Sequence, residues 1–306
     1  MLLAAAHSSL TFFQSIVIGL IQGVTELFPI SSLGHSVLLP KLFGWSNLVK
    51  EQSKSESFYL AFVVGLHCGS ALALLFFYRR DWMRIIRGFL RTIAKRAVET
   101  SDERLAWLIV VATVPTAALG LVLEHPLRTL FAKPLAAAIF LTINGGILLA
   151  GERVRQRSAV RALAVKEEVE ADGFRRLDTL EYKEAGIVGF FQSFALLAGI
   201  SRSGITMVAG LIRGLDHEDA AKFAFLLATP IILGAGLYKL GDLFGPLGAP
   251  NHVSIRGQVL AGSVVAGLAS YVSVRFLTRY FKSSTLAPFG VYCLVAGVFF
   301  ILFSTL

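Results

Sequence analysis

The sequence predicts an all-α polytopic membrane protein with about six transmembrane helices and two re-entrant helical hairpins related as inverted-topology repeats. Three observations support this fold class. Apolar residues make up 55% of the chain and charged residues only 16%, whereas soluble domains average about 25% charged. Six stretches approach the roughly 20 apolar residues that a spanning helix needs. Two further apolar stretches are interrupted by polar residues at matching places in the two halves.

The six predicted spans divide equally between an N-terminal and a C-terminal half, and five of them contain no Lys, Arg, Asp or Glu. A charged segment between the halves is typical of a solvated, partly helical linker. We therefore expect one integral membrane domain made of half 1–151, cytoplasmic linker 152–183 and half 184–306. The predicted spans are residues 58–78, 105–123, 134–151, 220–240, 257–274 and 286–306.

Residues 8–35 and 185–212 are long enough to cross a membrane, but each is broken by Ser, Gly and a charge near its middle. Broken backbone is tolerated at membrane depth only where it is buried in protein or lines a cavity, so we interpret both as re-entrant hairpins. Sliding 19–36 over 189–206 gives six identities in eighteen positions, among them Ser31 with Ser201. Interrupted apolar segments at corresponding places in two halves indicate a central binding site.

Loop charges predict the orientation. Residues 79–104 and 152–183 contain eight Lys or Arg each, whereas 124–133 and 239–256 contain two each. The positive-inside rule places the first two segments in the cytoplasm. Both chain ends then lie outside, and the two hairpins enter from opposite sides, as an inverted repeat requires. The net charge of +9 therefore reflects loops in contact with the lipid bilayer, and nucleic acid is not expected as a partner.

The second interrupted stretch suits a phosphate group. Arg202 offers a forked donor that matches phosphate oxygens, and freed N–H groups at a helix start add further donors. The alternative is an arginine that snorkels to the interface beside small residues that serve helix packing. Because Arg202 lies inside a broken segment that mirrors the first, we favour phosphate binding. The residues expected to help are Gly199, Ser201, Ser203, Gly204 and Thr206.

The first interrupted stretch carries ionisable groups that cost several kcal/mol in lipid unless they face a cavity or a partner. Glu26 is a candidate divalent-cation ligand or proton acceptor, with a structural hydrogen bond as the alternative. Gln22, one helical turn earlier, would orient it, and Ser31 belongs to the same polar set. His35 is a candidate general base. Ser32 is the candidate nucleophile, with direct attack by water as an equal competitor.

Other polar residues in the apolar runs are expected to serve packing. His67 and Asn144 each lie in an otherwise apolar span, where packing or an interhelical hydrogen bond suffices. The two cysteines, Cys68 and Cys293, also lie in apolar spans. Neither a disulfide framework nor a cysteine-based metal site is therefore predicted.

Two motifs resemble a known family. Residues 22–35, QGVTELFPISSLGH, resemble the first signature of the undecaprenyl-diphosphate phosphatases, the bacitracin-resistance family, and residues 198–206, AGISRSGIT, are similar to its second. The resemblance implies a membrane hydrolase acting on a phosphoric anhydride. It would convert undecaprenyl diphosphate to undecaprenyl phosphate and inorganic phosphate, which recycles the lipid carrier of peptidoglycan synthesis and confers bacitracin resistance. It also implies the bacterial cytoplasmic (inner) membrane, a site facing outward, and a divalent cation, Mg²⁺ or Ca²⁺.

Carried over by position, the resemblance makes Glu26, Ser32, His35 and Arg202 the catalytic set, with Glu26 as the metal ligand. The substrate-binding set is Gln22, Ser31, Gly199, Ser201, Ser203, Gly204 and Thr206. The chain departs from the family pattern at Ala198, where Pro is usual, and has Gln22 where many members have an acid.

One function from another class remains open on the sequence alone. Inverted repeats with re-entrant hairpins are also a transporter architecture, so a flippase or carrier of a lipid phosphate or another anion is the alternative. A transporter needs the anion-binding residues but not a nucleophile and a base. The sequence also leaves a homodimer open.

Overall fold

The structure, a computed structural model of the 306-residue chain, describes residues 10–45, 47–48, 58–131, 133–165, 176–244 and 255–305. Within these ranges every regular element is helical, which confirms the predicted fold class. The α-helices are α1 (Phe12–Thr25), α2 (Ser32–Leu42), α3 (Phe58–Phe77), α4 (Arg79–Lys95), α5 (Ser101–Phe131), α6 (Pro134–Val165), α7 (Tyr182–Gln192), α8 (Arg202–Ile212), α9 (His217–Phe244), α10 (Arg256–Tyr280) and α11 (Ala287–Thr305).

Both predicted hairpins consist of two short helices around a break. The 14-residue α1 and the 11-residue α2 flank residues 26–31. The 11-residue α7 and α8 flank residues 193–201, which include the 3₁₀ turn Ser193–Leu196. At 1.5 Å per residue none of the four helices reaches the roughly 30 Å of a hydrocarbon core. Their lengths therefore support re-entrant segments rather than spans.

Five helices of the described chain are long and apolar enough to cross a membrane, namely α5, α6, α9, α10 and α11. The sixth predicted span corresponds to α3, which passes the same test when it is taken together with α4. The structure therefore agrees with a multi-pass protein of five to six spans. Two helices continue beyond the predicted boundaries, since α5 extends to Phe131 and α6 to Val165.

The expectation of a loop at 79–104 is wrong, because residues 79–95 form the helix α4. It bends 85° away from α3 and ends at Arg96, whose φ of 55° is left-handed. Apolar side chains recur every three to four residues at Met83, Ile86 and Leu90, which is the helical period. Counting charges alone missed this amphipathic pattern.

Gly19 and Gly189, which align in the internal repeat, make similar close contacts in the two halves. A Cβ on Gly19 of α1 would lie 2.4 Å from the Gly262 carbonyl oxygen on α10, and one on Gly189 of α7 would lie 2.1 Å from the Ala112 carbonyl oxygen on α5. Each hairpin therefore packs its first helix tightly on a span of the other half. This reciprocal packing fits a duplicated fold, and the halves 1–151 and 184–306 stay a prediction.

The structure describes only part of the predicted linker 152–183. Residues 152–165 continue α6, and a 3₁₀ turn at Leu177–Thr179 precedes α7. Residues 166–175 of this linker lie outside the described residues, as do 245–254 of the segment 239–256. The same holds for residues 8, 9 and 306 at the predicted element ends.

Candidate active site

The two helices that follow the breaks begin in the same way. The Ser31 hydroxyl caps α2 by accepting from the Gly34 N–H at 3.2 Å, and the Ser201 hydroxyl caps α8 by accepting from the Gly204 N–H at 3.2 Å. The first N–H groups of a helix have no partner within the helix, and the helix dipole favours negative charge there. Each break therefore ends in a structure that attracts an anion.

Hydrogen bonds join the two breaks directly. The Ser31 hydroxyl also accepts from the Gly199 N–H at 3.1 Å, and both residues have positive φ, 70° and 113° respectively. Asn144 of α6 is fully buried; its Nδ2 donates to the Pro29 carbonyl at 3.1 Å and its Oδ1 accepts from the Ser201 N–H at 2.9 Å. The predicted interhelical hydrogen bond of Asn144 therefore exists and fixes one break against the other.

A cavity of about 160 Å³ lies where the two breaks meet. Apolar side chains of α3 and α9, including Val64 and Ile232, form part of its wall. The remaining lining is polar and comes from both hairpins and from two spans. These polar residues are Glu26, Ser31, Ser32, His67, Thr116, Gln192, Ser201 and Arg202.

Glu26 is the centre of the polar network. Its Oε1 accepts from Arg202 Nη2 at 2.8 Å, while its Oε2 accepts from Gln22 Nε2 at 3.0 Å and from the Ser32 hydroxyl. The imidazole Nε2 of His67 lies 3.3 Å from the same Oε2. The carboxylate is 93% shielded from solvent, at 7% exposure. The structure thus brings the predicted residues Gln22, Glu26, Ser32 and Arg202 together.

Several polar atoms at the site keep unused hydrogen-bonding capacity. Among the described residues, Arg202 Nη1, Gln192 Oε1 and Gln22 Oε1 are buried without a hydrogen-bond partner. Unpaired buried polar groups cost about 1–3 kcal/mol each and are uncommon in native proteins. A donor and acceptors held in this way are suited to a bound polar ligand.

The structure does not bring His35 into this cavity. Its Nδ1 lies 2.7 Å from the Ser31 carbonyl oxygen and its Nε2 lies 2.8 Å from the Tyr292 hydroxyl, with the two rings stacked at 5.8 Å. Together with Phe289 of α11, it lines a separate, mostly apolar cavity of about 570 Å³. The His35 ring contacts the Ser31 carbonyl, one helical turn earlier, and not the Ser32 hydroxyl. This geometry therefore does not support His35 as the base that acts directly on Ser32.

His67 takes the position that the sequence analysis gave to His35. The prediction for His67 was packing or an interhelical hydrogen bond; its ring contacts Glu26 at the end of α1, as the second alternative allows, but it also lines the cavity, which was not predicted. A signal was present, since a lone ionisable residue in an apolar span marks function by default. Gln192 was also missed as a cavity residue, although it pairs with Gln22 in the internal repeat.

Three predicted residues lie behind the cavity wall. The Ser203 hydroxyl is 3.1 Å from the Ser201 hydroxyl and donates to the Phe28 carbonyl at 3.3 Å. A Cβ on Gly204 would lie 3.1 Å from Pro29 Cβ. Thr206 is buried with no hydrogen-bond partner for its hydroxyl among the described residues. These residues support the turn rather than line the cavity.

The comparison with protein-family models decides the family. The model described as bacitracin resistance protein BacA matches residues 15–299, which is nearly the whole chain. The chain belongs to the BacA family. Both motifs, 22–35 and 198–206, and both cavities lie within the matched range.

Curated relatives of this BacA-family chain cover almost its full length. An undecaprenyl-diphosphatase 2 of Frankia alni is 54% identical, over 94% of this chain and 96% of the relative. An undecaprenyl-diphosphatase of Mycolicibacterium paratuberculosis is 53% identical, over 94% and 95% respectively. An undecaprenyl-diphosphatase 2 of Chromobacterium violaceum is 42% identical, over 95% and 98%.

The donor set of this BacA-family site fits a divalent cation that the substrate helps to hold. Within the described residues, no three His, Cys, Asp or Glu side chains form a group that could enclose a metal ion. Mg²⁺ is commonly bound by one or two carboxylates together with substrate phosphates and water. Glu26 supplies one carboxylate, and the unpaired Oε1 of Gln22 is a further buried oxygen. A cation shared with a phosphate is therefore compatible with these residues.

An apolar groove of about 900 Å³ runs beside the polar cavity, between α3 and α10. Val64 lines both spaces. The groove wall includes Leu72, Ser263 and Leu268. In this member of the BacA family, the polar cavity therefore adjoins an apolar groove.

Proposed function

We propose that this protein is a membrane phosphatase that hydrolyses undecaprenyl diphosphate to undecaprenyl phosphate and inorganic phosphate. The observation that carries the proposal is the contact of the Ser32 hydroxyl and Arg202 with opposite oxygens of Glu26 inside one buried cavity. A nucleophile, a proton acceptor and a phosphate-binding cation are thereby joined. The printed names of the curated relatives support the same activity.

The diphosphate binds where the two helix N-termini converge. Arg202 has an unused Nη1 at the cavity, and its guanidinium geometry matches phosphate oxygens. The N-termini of α2 and α8 add backbone N–H donors and dipole charge. Phosphoryl transfer depends chiefly on positioning and on neutralising charge on the transferred group, and these groups supply both.

Ser32 is the nucleophile in this mechanism. Its hydroxyl donates to Glu26 Oε2, so the carboxylate accepts the proton as Ser32 Oγ forms a bond to the terminal phosphorus. The bond from that phosphorus to the bridging oxygen breaks, and undecaprenyl phosphate leaves. Water then hydrolyses the phosphoserine, and the proton that Glu26 received is passed on to solvent.

A divalent cation, Mg²⁺ or Ca²⁺, belongs to the proposal, with Glu26 as its protein ligand and Gln22 beside it. When bound, the cation supplies positive charge to the phosphate oxygens. Arg202 contributes charge of its own from the second hairpin. Residues of both halves therefore contact the diphosphate.

The prenyl chain lies in the groove between α3 and α10, which continues from the polar cavity at Val64. The protein belongs to the bacterial cytoplasmic (inner) membrane with its site toward the outer side. This orientation is supported by the basic segments 79–104 and 152–183, which the positive-inside rule assigns to the cytoplasm. The product would re-enter peptidoglycan synthesis, and its supply would confer resistance to bacitracin.

Phosphate release from a C55 or C15 prenyl diphosphate by purified protein in detergent tests the proposal. We expect release that a chelator abolishes and that is lost in Arg202→Ala and Glu26→Gln. Folded wild-type protein that releases no phosphate with Mg²⁺ and Ca²⁺ supplied would contradict it. No contact of the described residues specifically favours transport over hydrolysis.

A further inference from the structure

His67 reaches the polar cavity from a helix that is otherwise apolar. It lies on α3, its side chain is 18% exposed, and it lines the cavity and contacts a carboxylate of the first hairpin. Neither of the two signature stretches, 22–35 and 198–206, contains it. The mechanism above assigns it no part, although it lies as close to the reacting groups as Gln22 does.

The orientation of the imidazole is fixed by its own helix. Its Nδ1 lies 2.7 Å from the Val63 carbonyl oxygen, one turn earlier on α3. The Val63 carbonyl oxygen and a carboxylate oxygen both only accept hydrogen bonds, so the two contacts together require a hydrogen on each ring nitrogen, as in the imidazolium form. The ring is thereby held with Nε2 directed at Glu26 Oε2, 3.3 Å away.

This contact affects which partner each carboxylate oxygen of Glu26 binds. Arg202 binds Oε1, and a carboxylate paired only with a guanidinium would be drawn into a strong two-point ion pair. Such a pair would withdraw Oε2 from the Ser32 hydroxyl, whose proton it accepts in the proposed mechanism. A partner on Oε2 opposes this movement from the α3 side.

We propose that His67 is a positioning residue for Glu26: it holds Oε2 against the Ser32 hydroxyl and prevents the carboxylate from pairing wholly with Arg202. The inference rests on the proposed function, because its effect is on the transfer of phosphate. Substrate binding, which depends on Arg202 and on the helix N-termini, should be largely unaffected.

The variants His67→Ala and His67→Gln test this role by steady-state phosphate release with C15 prenyl diphosphate. We expect His67→Ala to lower kcat about 10- to 100-fold, as loss of a supporting partner typically does, with KM nearly unchanged. His67→Gln keeps an amide donor and should recover much of kcat. Ser70→Ala, one turn later on α3, is the matched control and should retain wild-type kcat, because the Ser70 hydroxyl donates to the Leu66 carbonyl of its own helix and lines neither the polar cavity nor the groove.

A double-mutant cycle shows whether His67 acts through Glu26. Glu26→Gln lowers the rate by itself, and adding His67→Ala should then change the residual rate less than about twofold, since coupled residues are not additive. Independent, multiplicative losses would overturn the inference, as would a His67→Gln variant no better than His67→Ala or a His67→Ala variant equal to wild type. Failure of the wild-type chain to release phosphate would instead overturn the proposed function and the inference with it. If His67→Ala does not fold, His67→Leu, which fills the space but has no donor, replaces it in the comparison with His67→Gln and in the cycle.

Helix α4, which lies outside the phosphatase site, has three distinct faces. One face packs on α5 through Ile85, Gly88 and Thr92, all of them buried. The opposite side carries exposed apolar side chains at helical spacing, with relative exposures between 48% and 59%. This apolar stripe consists of Met83, Ile86, Leu90 and Ile93.

The position of α4 explains why such a stripe can be exposed. The helix turns 85° from α3, so it runs roughly along the membrane plane if α3 spans. A helix with an apolar face and a basic flank lies in the interface, with the apolar face at the boundary of the acyl chains. Its flank carries a row of exposed cations, Arg80, Arg84, Arg87, Arg91 and Lys95.

Part of this basic row is not neutralised by the protein. Arg84 pairs with Asp81, and Arg91 pairs with Glu103. Arg80 and Arg87 have no acidic partner in the described chain. Because these two lie beside the apolar stripe, they stand where the phosphates of the adjoining leaflet would be.

We infer that α4 is a docking surface for anionic phospholipid headgroups, bound by Arg80 and Arg87 while the apolar stripe enters the lipid. Basic residues next to a membrane surface attract anionic lipids, and the attraction weakens with salt. This surface is independent of the phosphatase site.

The melting temperature of detergent-solubilised protein tests the lipid surface. We expect added phosphatidylglycerol to raise it more than phosphatidylcholine or inorganic phosphate does, and high salt to reduce the difference. The variant Arg80→Gln/Arg87→Gln should lose this difference, whereas Arg153→Gln/Arg157→Gln, with two exposed arginines of α6, should keep it. Equal shifts in both variants, or the same shift with inorganic phosphate, would overturn the inference. So would a dimer that Leu90→Glu dissociates in the absence of any lipid effect, because a second copy would then cover the stripe.

Discussion

Arg202 Nη2 lies 2.8 Å from Glu26 Oε1, so a guanidinium of the second hairpin binds the carboxylate of the first across 176 positions of sequence. Neither hairpin alone contains both charges. Their pairing in a buried cavity reduces the cost of placing each one at membrane depth. It also means that the site forms only when the two halves pack together.

Arg202→Lys should lower kcat/KM by about 10²-fold or more, although the charge is retained. Lysine lacks the planar fork that binds two oxygens at once, and removing one preorganised donor typically costs about 10²- to 10³-fold. Phosphate release at varied substrate concentration measures the effect. An Arg202→Lys variant with near wild-type kcat/KM would show that the fork is not used.

Ser32→Ala should reduce turnover by at least about 10³-fold, because the variant has no oxygen to attack phosphorus. Ser31→Ala is the comparison, since it removes a cap of α2 but leaves the nucleophile, and its loss should be smaller. Phosphoserine trapped from the wild type by acid quenching provides a second readout. Substantial turnover by Ser32→Ala would favour direct attack by water.

Asn144→Ala should destabilise the protein by about 1–3 kcal/mol, because the Ser201 N–H and the Pro29 carbonyl lose their buried partner. Asn144→Asp is informative beside it. Asp keeps the acceptor for Ser201 but cannot donate to Pro29 when ionised. Thermal unfolding in detergent, followed together with phosphate release, should place both variants below wild type in stability. Full stability of Asn144→Ala would show that α6 does not hold the breaks in place.

Gly199→Ala should lower stability strongly, because its φ of 113° disfavours a side chain and a Cβ would lie 2.4 Å from the Ala137 carbonyl oxygen. Backbone strain of this kind costs about 1–3 kcal/mol before the clash is added. Gly234→Ala, in α9 with no atom within 4 Å of the new Cβ, is the matched control and should be neutral or slightly stabilising. Equal melting temperatures for the two variants would contradict the close packing at this turn.

Ser263→Phe should raise KM for a C55 substrate more than for a C15 substrate, with kcat little changed. The side chain would fill part of the groove between α3 and α10, which a longer chain occupies more fully. Val295→Phe, on an exposed part of α11 outside that groove, should change neither value. Equal KM values for the Ser263→Phe variant and wild type with C55 substrate would place the chain elsewhere.

The positions of the two breaks could be predicted from the sequence because Ser and Gly interrupt apolar runs at Ser31 and Ser201, joined by Pro29 at the first break. The residues on other helices that line the cavity could not be predicted in this way. His67 lies in α3, and its approach to Glu26 depends on how α3 is rotated against α1, which local pattern does not encode. His35 was expected beside Ser32 from spacing, but its ring turns back to the Ser31 carbonyl and to Tyr292.

Helix α4 shows a second limit of prediction from the sequence. The predicted orientation used the number of basic residues in this segment, but a count ignores how those residues are distributed around the helix axis. The spacing of Met83, Ile86 and Leu90 contains the helical period. The bend after α3 and the packing on α5 depend on tertiary contacts, so the sequence alone could not place this helix in the membrane plane.

The two hydrogen bonds of Asn144 have a mechanical consequence. Because one side chain on a rigid helix contacts Pro29 and Ser201 at once, a tilt of α6 moves both turns in the same direction. Ser32 and Arg202 follow those turns, so the spacing between them is buffered against thermal motion of the surrounding helices.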